Sequence, residues 1–378
     1  MKRKSTTTSY IYNDDEHEHQ QDRLSSLPDA LLIYIFSFID TKLALQSQIL
    51  SKRWVNLWTL LPVLNFDYSL LQRFDHFIHK VLTYRNASIK LDAVNIKLTD
   101  YNTMATVFNY ALVNRVPNLS IDTSDYLTKY RPIQCLNGTD SLRKLELKGM
   151  FEFGRFSVCS GLVKLRLERV KIVESDPFSC FPNLKELCLV NCKVGFDLAV
   201  LEVIGFELLR LVISSCFYHP VPYEKLVLLT PKLKVLEISG LIPMSFEACE
   251  LPGLDTVRID CCFSYVRAFD RIVRQPDEGE QKVNLIKIFW CLRNAKCIHL
   301  SPSTVKLLSL SHDKLDEEPC PFVNLKVLNL IPPPNKPVGE LHSSVATYLL
   351  RGSRKAVVKT LPGYDPLTFL KFISSCYQ

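Results

Sequence analysis

Glycine is scarce in this chain, 12 in 378 residues, and the motifs that gather glycine around a phosphate are missing: there is no GxGxxG and no Walker loop. A GxSxG elbow and an HExxH pair are also absent. With no catalytic constellation in view, the chain is expected to be a non-catalytic protein that needs no cofactor. The 13 cysteines include no CxxC pair. They are scattered, several of them inside apolar strand-like runs, which argues against a disulfide framework or a zinc site and for a reducing compartment. His17 and His19 could offer two metal ligands, but on a polar tail they read as solvated side chains, so no metal is expected. No apolar run approaches the roughly 18 to 20 residues of a membrane span. Met1 to Gln21 has no apolar h-region and reads as a disordered lead-in, not a secretory signal. Charge of one sign is also short: 46 basic against 39 acidic residues leave +7, too modest for a nucleic-acid footprint.

What is present is apolar and periodic. Hydrophobic residues make up 47% of the chain, including 21 Phe, enough for an extended core. The length predicts either two domains or one elongated repeat array. From Leu24 to Trp58 the apolar residues recur at helical spacing. Leu31, Ile35 and Ile39 form an i, i+4 stripe that Leu32 and Phe36 widen. Pro28 suits a first helical turn and Asp29 the positive end of the dipole. Asp40 or Thr41 can cap a second helix carrying Leu43, Leu45 and Ile49, and Ser51 a third carrying Trp54 and Trp58. Three short helices bury little surface alone. Their stripes must therefore pack either on the rest of the chain or on a partner.

Further on, one pattern recurs: Leu142xxLeu145xLeu147, Leu162xxLeu165xLeu167, Leu184xxLeu187xLeu189, Leu208xxLeu211xIle213, Leu233xxLeu236xIle238 and Leu254xxVal257xIle259. The first leucines are 20, 22, 24, 25 and 21 residues apart. That is the period of leucine-rich repeats, in which each strand-plus-helix or strand-plus-turn unit buries its apolar face only by stacking on its neighbours. Cys192, Cys216 and Cys262 stand eight residues after the first leucine, where the repeat favours Asn or Cys lining a turn, and read as buried thiols. Ala93xxIle96xLeu98 and Val116xxLeu119xIle121 are expected to start the array. Ala295xxIle298xLeu300 and Leu325xxLeu328xLeu330 are expected to end it. Helices are expected over Leu71 to Tyr84, Asn102 to Asn114 and Val283 to Leu292, with Arg274 to Lys282 as a loop. Pro332 to Pro337 then breaks the pattern. The predicted organisation is a disordered segment 1–21, a helical module 22–67, a repeat solenoid with a curved parallel sheet 68–331, and a C-terminal cap or tail 332–378. The fold class is α/β.

The run Asp22-Arg-Leu-Ser-Ser-Leu-Pro-Asp-Ala-Leu-Leu-Ile-Tyr-Ile-Phe-Ser-Phe-Ile-Asp-Thr-Lys-Leu-Ala-Leu, followed by Leu50-Ser-Lys-Arg-Trp-Val-Asn-Leu-Trp58, resembles the F-box motif, in particular its plant form. Ala30 stands where that family usually has Glu, and Ile39-Asp40 where it often has Leu-Pro. With the Phe-Pro-Asn-Leu lead-in at Phe181 to Leu184, the resemblance to plant F-box/leucine-rich-repeat proteins, some carrying an FBD-type C-terminal domain, spans roughly Asp22 to Ile331. It implies a substrate receptor of a Skp/cullin/F-box ubiquitin ligase in the nucleus or cytoplasm, bound to a Skp-type adaptor and through it to cullin, and holding a target by its repeats. By position, Leu27 and Pro28 would seat on the adaptor and Leu31, Leu32, Ile35 and Phe36 would pack in its groove. Leu45, Leu50 and Trp54 would complete the contact or hold the helices together. A non-ligase interaction scaffold and a small-molecule sensor use the same architecture and remain alternatives.

Strand geometry points residues 3, 5 and 7 of each LxxLxL unit to the face opposite the core. Reading across strands gives Lys144, Lys164, Glu186, Arg210, then Glu146, Arg166, Cys188, Val212, then Lys148, Glu168, Val190, Ser214. Two readings follow. Neighbouring strands about 4.8 Å apart can pair Glu146 with Arg166 and Lys148 with Glu168 in a surface ladder. Alternatively, Lys144, Lys164, Arg166 and Arg210 bind an acidic or phosphorylated target.

Overall fold

A computed structural model describes residues 23–67, 74–97, 101–123, 129–133, 140–195, 198–216, 225–243, 245–261, 278–310, 315, 318–331 and 343–360. The N-terminal tail with His17 and His19, Cys262, Leu98 and the Pro332 to Pro337 break lie outside them.

Helix α1, Asp29–Phe36, starts after Pro28, which sits at the N-cap and not in the first turn. No side chain caps it, so Asp29 supplies the favourable charge at its positive end. Arg53 braces the same end: Nε donates to Asp29 Oδ1 (2.7 Å), and the other guanidinium nitrogens donate to the carbonyls of Ser25 (2.8 Å) and Leu27 (2.6 Å). Helix α2, Thr41–Gln46, is capped by Asp40, whose carboxylate accepts from the Lys42 amide (2.8 Å). The expected third helix is instead two 3₁₀ turns, Lys52–Trp54 and Leu57–Leu60. Between them Asn56, at φ −111° and ψ 0°, leaves helical geometry, as a residue that favours caps and turns over helix interiors readily does.

Among the described residues, twelve parallel strands form one sheet: β1 (Val63–Asp67), β2 (Ala93–Lys97), β3 (Asn118–Asp122), β5 (Lys144–Lys148), β7 (Lys164–Glu168), β9 (Glu186–Val190), β12 (Arg210–Ser214), β14 (Val235–Gly240), β16 (Thr256–Cys261), β17 (Cys297–Leu300), β18 (Val327–Leu330) and β19 (Val357–Thr360). Each strand pairs in register with the next. Leu64, Val94, Leu119, Leu145, Leu165, Leu187, Leu211, Leu236, Val257, Ile298 and Leu328 therefore stand in one row. All are buried. The row is what a leucine repeat of this period must produce, since no unit can hide its apolar face alone.

The layer across the core changes along the array. At its start it is helical, with α3 (Phe74–Tyr84) and α4 (Tyr101–Val113). The middle units use short strands. β4 (Arg131–Pro132), β6 (Phe151–Phe153), β8 (Lys171–Ile172) and β10 (Lys193–Val194) make a four-stranded sheet, and β11 (Val200–Ile204), β13 (Lys225–Leu229) and β15 (Ser245–Ala248) a three-stranded one. Here Phe153, Phe156, Phe178 and Phe181 stack on one another, filling with rings the volume a helix would take. Helices return as α5 (Glu278–Cys291), α6 (Pro302–Ser309) and α7 (Ser343–Leu350). Side chains from both layers share one continuous core.

Several details differ from expectation. The first repeat strand is β1, with Leu61, Leu64 and Phe66 buried in the LxxLxL positions. In β2 the inward residues are Leu91, Val94 and Ile96, so that unit is shifted two residues from Ala93xxIle96xLeu98, and Ala93 is half-exposed. Helix α5 begins at Glu278 inside the segment expected as a loop, with the polar residues Gln281 and Lys282 buried. Within 332–378, α7 and β19 continue the helix-and-strand alternation and extend the sheet by one strand beyond β18. Cys192 and Cys216 are buried at the expected turns. Each donates its thiol to a carbonyl of the preceding strand, Leu167 (3.3 Å) and Leu189 (3.5 Å) respectively.

Candidate functional site

Twenty large apolar residues among the described ones are exposed, and nine of them lie between Leu24 and Val55. Such clustering is what separates a partner surface from the scattered apolar residues any protein exposes. It arises because α1 is apolar nearly all round while only one side meets the core. Leu32 (0% exposed), Phe36 (4%) and Trp54 (3%) turn inward, and the Phe36 and Trp54 rings meet edge to face at 5.7 Å between centroids. Leu31 (48%) and Ile35 (39%) turn outward, and Leu50 (76%) stands beyond the end of α2.

The residues expected to touch an adaptor thus divide into two sets. Pro28, Leu31, Ile35 and Leu50 are exposed; Leu32, Phe36 and Trp54 are core; Leu27 and Leu45 are half-buried. Tyr34, Phe38, Leu43, Ile49 and Val55 are equally exposed, and reading the sequence by motif position alone missed them. The signal was available, since Tyr34 and Phe38 follow Leu31 at i+3 and i+7 on the same helical face. Their rings stack edge to face at 4.9 Å.

The second candidate surface is the face of the large sheet opposite the core. Residues at alternate strand positions do turn to that side. All four cations singled out there have acidic partners within the chain: Lys144 pairs with Glu146 (3.0 Å), Lys164 with Glu186 (2.8 Å), Arg166 with Glu168 (3.0 Å) and Arg210 with Glu237 (2.5 Å). Lys148 bridges Asp122 (3.4 Å) and Glu168 (3.6 Å). The anticipated Lys148–Glu168 pair is therefore present, whereas Glu146 and Arg166 each choose a partner two residues away on their own strand. Arg166 also reaches the Cys188 thiol (3.2 Å).

From β9 to β14 this face turns apolar. Cys188, Val190 and Val212 form a small buried cluster of their own, and Glu237 is 5% exposed. Farther along, His299 Nε2 stands 3.4 Å from both the Cys297 thiol and the Asn329 amide. Burial, and then the charge of Arg258, hold His299 below the usual histidine range, and burial pushes the Cys297 thiol up. Burial of both groups disfavours the thiolate–imidazolium form in which a cysteine beside a histidine is most reactive. Among the described residues no cluster of His, Cys, Asp or Glu could hold a metal ion, and no helix is long and apolar enough to cross a membrane.

No protein-family model matches the chain. Curated proteins of Arabidopsis thaliana do. An F-box/FBD/LRR-repeat protein is 30% identical over 308 residues, covering 77% of this chain and 65% of the relative. A second F-box/FBD/LRR-repeat protein is 30% identical over 255 residues, covering 61% and 55%. An F-box protein is 25% identical over 322 residues, covering 76% and 68%. The chain spans less than two-thirds of the length of the first two. The matches take in most of this chain, whose own structure joins an apolar helical head to stacked leucine-rich strands, so the chain belongs to the plant F-box/leucine-rich-repeat family.

Proposed function

We propose that this protein is the substrate-recognition subunit of a Skp/cullin/F-box ubiquitin ligase: the N-terminal head binds a Skp-type adaptor, and through it cullin, while the repeats hold a target protein in the nucleus or cytoplasm. The observation that carries the reading is the apolar face between Leu24 and Val55, which the chain's own core leaves uncovered. Truncating a large buried anchor commonly costs an interface about 2 kcal/mol or more. Leu31, Ile35 and Leu50 are the anchors, with Leu27, Pro28 and Leu45 at their margin. Leu32, Phe36 and Trp54 act one step back, by holding the head in shape.

The target is held on the open sheet face, with Lys144, Lys164, Arg166 and Arg210 as its candidate contacts. Lys144, Lys164 and Arg166 would each exchange an acid of their own chain for an acid of the target, which favours selectivity over raw affinity, whereas Arg210 would meet the target still paired with Glu237. Ubiquitin transfer itself belongs to the ligase assembly, so this subunit contributes proximity and no active site.

The test is capture of purified Skp adaptor by the full chain. Wild type is expected to bind. Leu31→Asp with Leu50→Asp, and separately Leu27→Ala with Pro28→Ala, are expected to lose binding while their urea unfolding midpoints stay near that of wild type. Wild type that ignores the adaptor would overturn the proposal. Reconstituted ubiquitylation then separates a ligase subunit from a scaffold that merely assembles.

A further inference from the structure

We infer that the helical head is also the N-terminal cap of the repeat array, and that Asp40, Thr41 and Asn65 are positioning residues which fix the adaptor-binding face relative to the target-binding sheet. This rests on the ligase reading for its consequence, though not for its geometry.

β1 is the first strand of the twelve-stranded sheet and, among the described residues, has a strand partner on one side only, β2. Along a strand, successive backbone groups face alternate neighbours. Pro62 gives its carbonyl to the β2 side, to the Asp92 amide (2.7 Å), so Asn65 and Asp67 aim their amides at the free edge. An open edge of this kind costs hydrogen bonds and invites foreign strands.

Here the head closes it with side chains. The Asn65 amide donates to Thr41 Oγ1 (2.9 Å), and the Asp67 amide donates to Asp40 Oδ2 (2.9 Å). Asp40 meanwhile caps α2 through its other oxygen, so one carboxylate ties the start of a head helix to the end of the first repeat strand. Burial raises the Asp40 pKa, and the two backbone bonds oppose that rise; the group is thus partly dry as well as geometrically fixed.

Asn65 closes the triangle. Its Nδ2 donates to the Ser37 (2.8 Å) and Ile39 (3.1 Å) carbonyls just past α1, and its Oδ1 accepts from Asn95 Nδ2 on β2 (2.8 Å). Thr41 is fully buried. Leu32, Phe36, Ala44 and Leu57 from the head belong to the same core as Leu61, Leu64 and Val94 from the first repeat units. Head and array are joined by directional bonds over a continuous apolar contact, which leaves no swivel between them. In a ligase that acts by proximity, the angle between the two faces decides which lysines meet the ubiquitin-charged enzyme.

The test uses the full chain assembled with adaptor, cullin and a ubiquitin-conjugating enzyme, and maps by mass spectrometry which of its own lysines are modified. Asp40→Ala with Thr41→Val leaves the exposed face untouched, so adaptor affinity is expected to stay within about twofold, while modification spreads to lysines that wild type spares. Thr41→Ser, which keeps the acceptor oxygen, is expected to retain the wild-type map. A double variant with normal adaptor binding and an unchanged map would overturn the positioning role.

Amide exchange on the free chain reads the cap without any ligase. Asn65 and Asp67 amides are expected to lose protection at least tenfold in the double variant, and unchanged protection there would overturn the capping geometry. Should wild type bind no adaptor, the ligase reading fails and the exchange result still decides the cap.

Discussion

The Arg210 guanidinium lies 2.5 Å from Glu237 Oε1, joining β12 to β14 across the otherwise apolar middle of the open sheet face. The carboxylate side chain is only 7% exposed, against 26% for the arginine. A pair this dry adds little net stability, yet breaking it strands a charge.

Arg210→Ala is therefore expected to destabilise the chain by about 3 kcal/mol, well above a surface substitution. Arg210→Met with Glu237→Leu should cost far less, because both desolvation penalties disappear together. Urea unfolding of the two variants checks the order. A single variant no worse than the double would refute the account.

The head is expected to separate folding from binding by position. Phe36→Ala and Trp54→Ala remove buried rings and should each cost about 3 to 5 kcal/mol. Ile35→Ala and Ile49→Ala remove exposed groups and should shift stability by less than about 0.5 kcal/mol. Denaturant midpoints measured without any partner decide the matter.

Stability should decline as the solution becomes mildly acidic, with His299 contributing. Its folded pKa lies below the ordinary value of about 6.5, because of burial and then Arg258. Between the folded and unfolded values the unfolded chain binds the proton and the folded chain does not, so stability falls as pH drops through about 6.5 and on toward the folded value. His299→Gln should flatten that part of the curve. If the curves for wild type and variant are parallel, another group is responsible.

Thiol reactivity should report unfolding. Burial, and next the neighbouring Cys192, hold the Cys216 thiol well above its usual range, and neither sulfur is accessible. A thiol-specific chromophoric reagent is expected to reach Cys192 and Cys216 only at the rate of unfolding. Among the described cysteines, the half-exposed Cys249 and Cys320 should react before these two.

Much of this architecture was legible because stacking repeats leave a long-range periodic record: the six strongest LxxLxL units all became neighbouring strands. The units that escaped were those whose pattern overlapped another signal. Leu61xxLeu64xPhe66 lies within the segment 22–67 that the sequence assigns to the helical module, so its strand reads as part of the head. β19 aligns as Lys355xxVal358xThr360, with a lysine where leucine belongs, and all four of its residues are exposed. Gln281 and Lys282 are polar by type and buried by position, which concealed the start of α5. At the site, helical spacing gave the apolar residues of α1 but not their direction. Leu31 and Leu32 are chemically identical, and only the packing of Trp54 and Leu57 against one side of the helix tells them apart.

That adjacency on α1 has an evolutionary reach. Outward positions such as Leu31, Tyr34 and Ile35 are free to drift without folding cost, while Leu32 and Phe36 are pinned by the interior. Under the reading proposed above, gene copies of such a chain can diverge in which adaptor they prefer while sharing an unchanged skeleton.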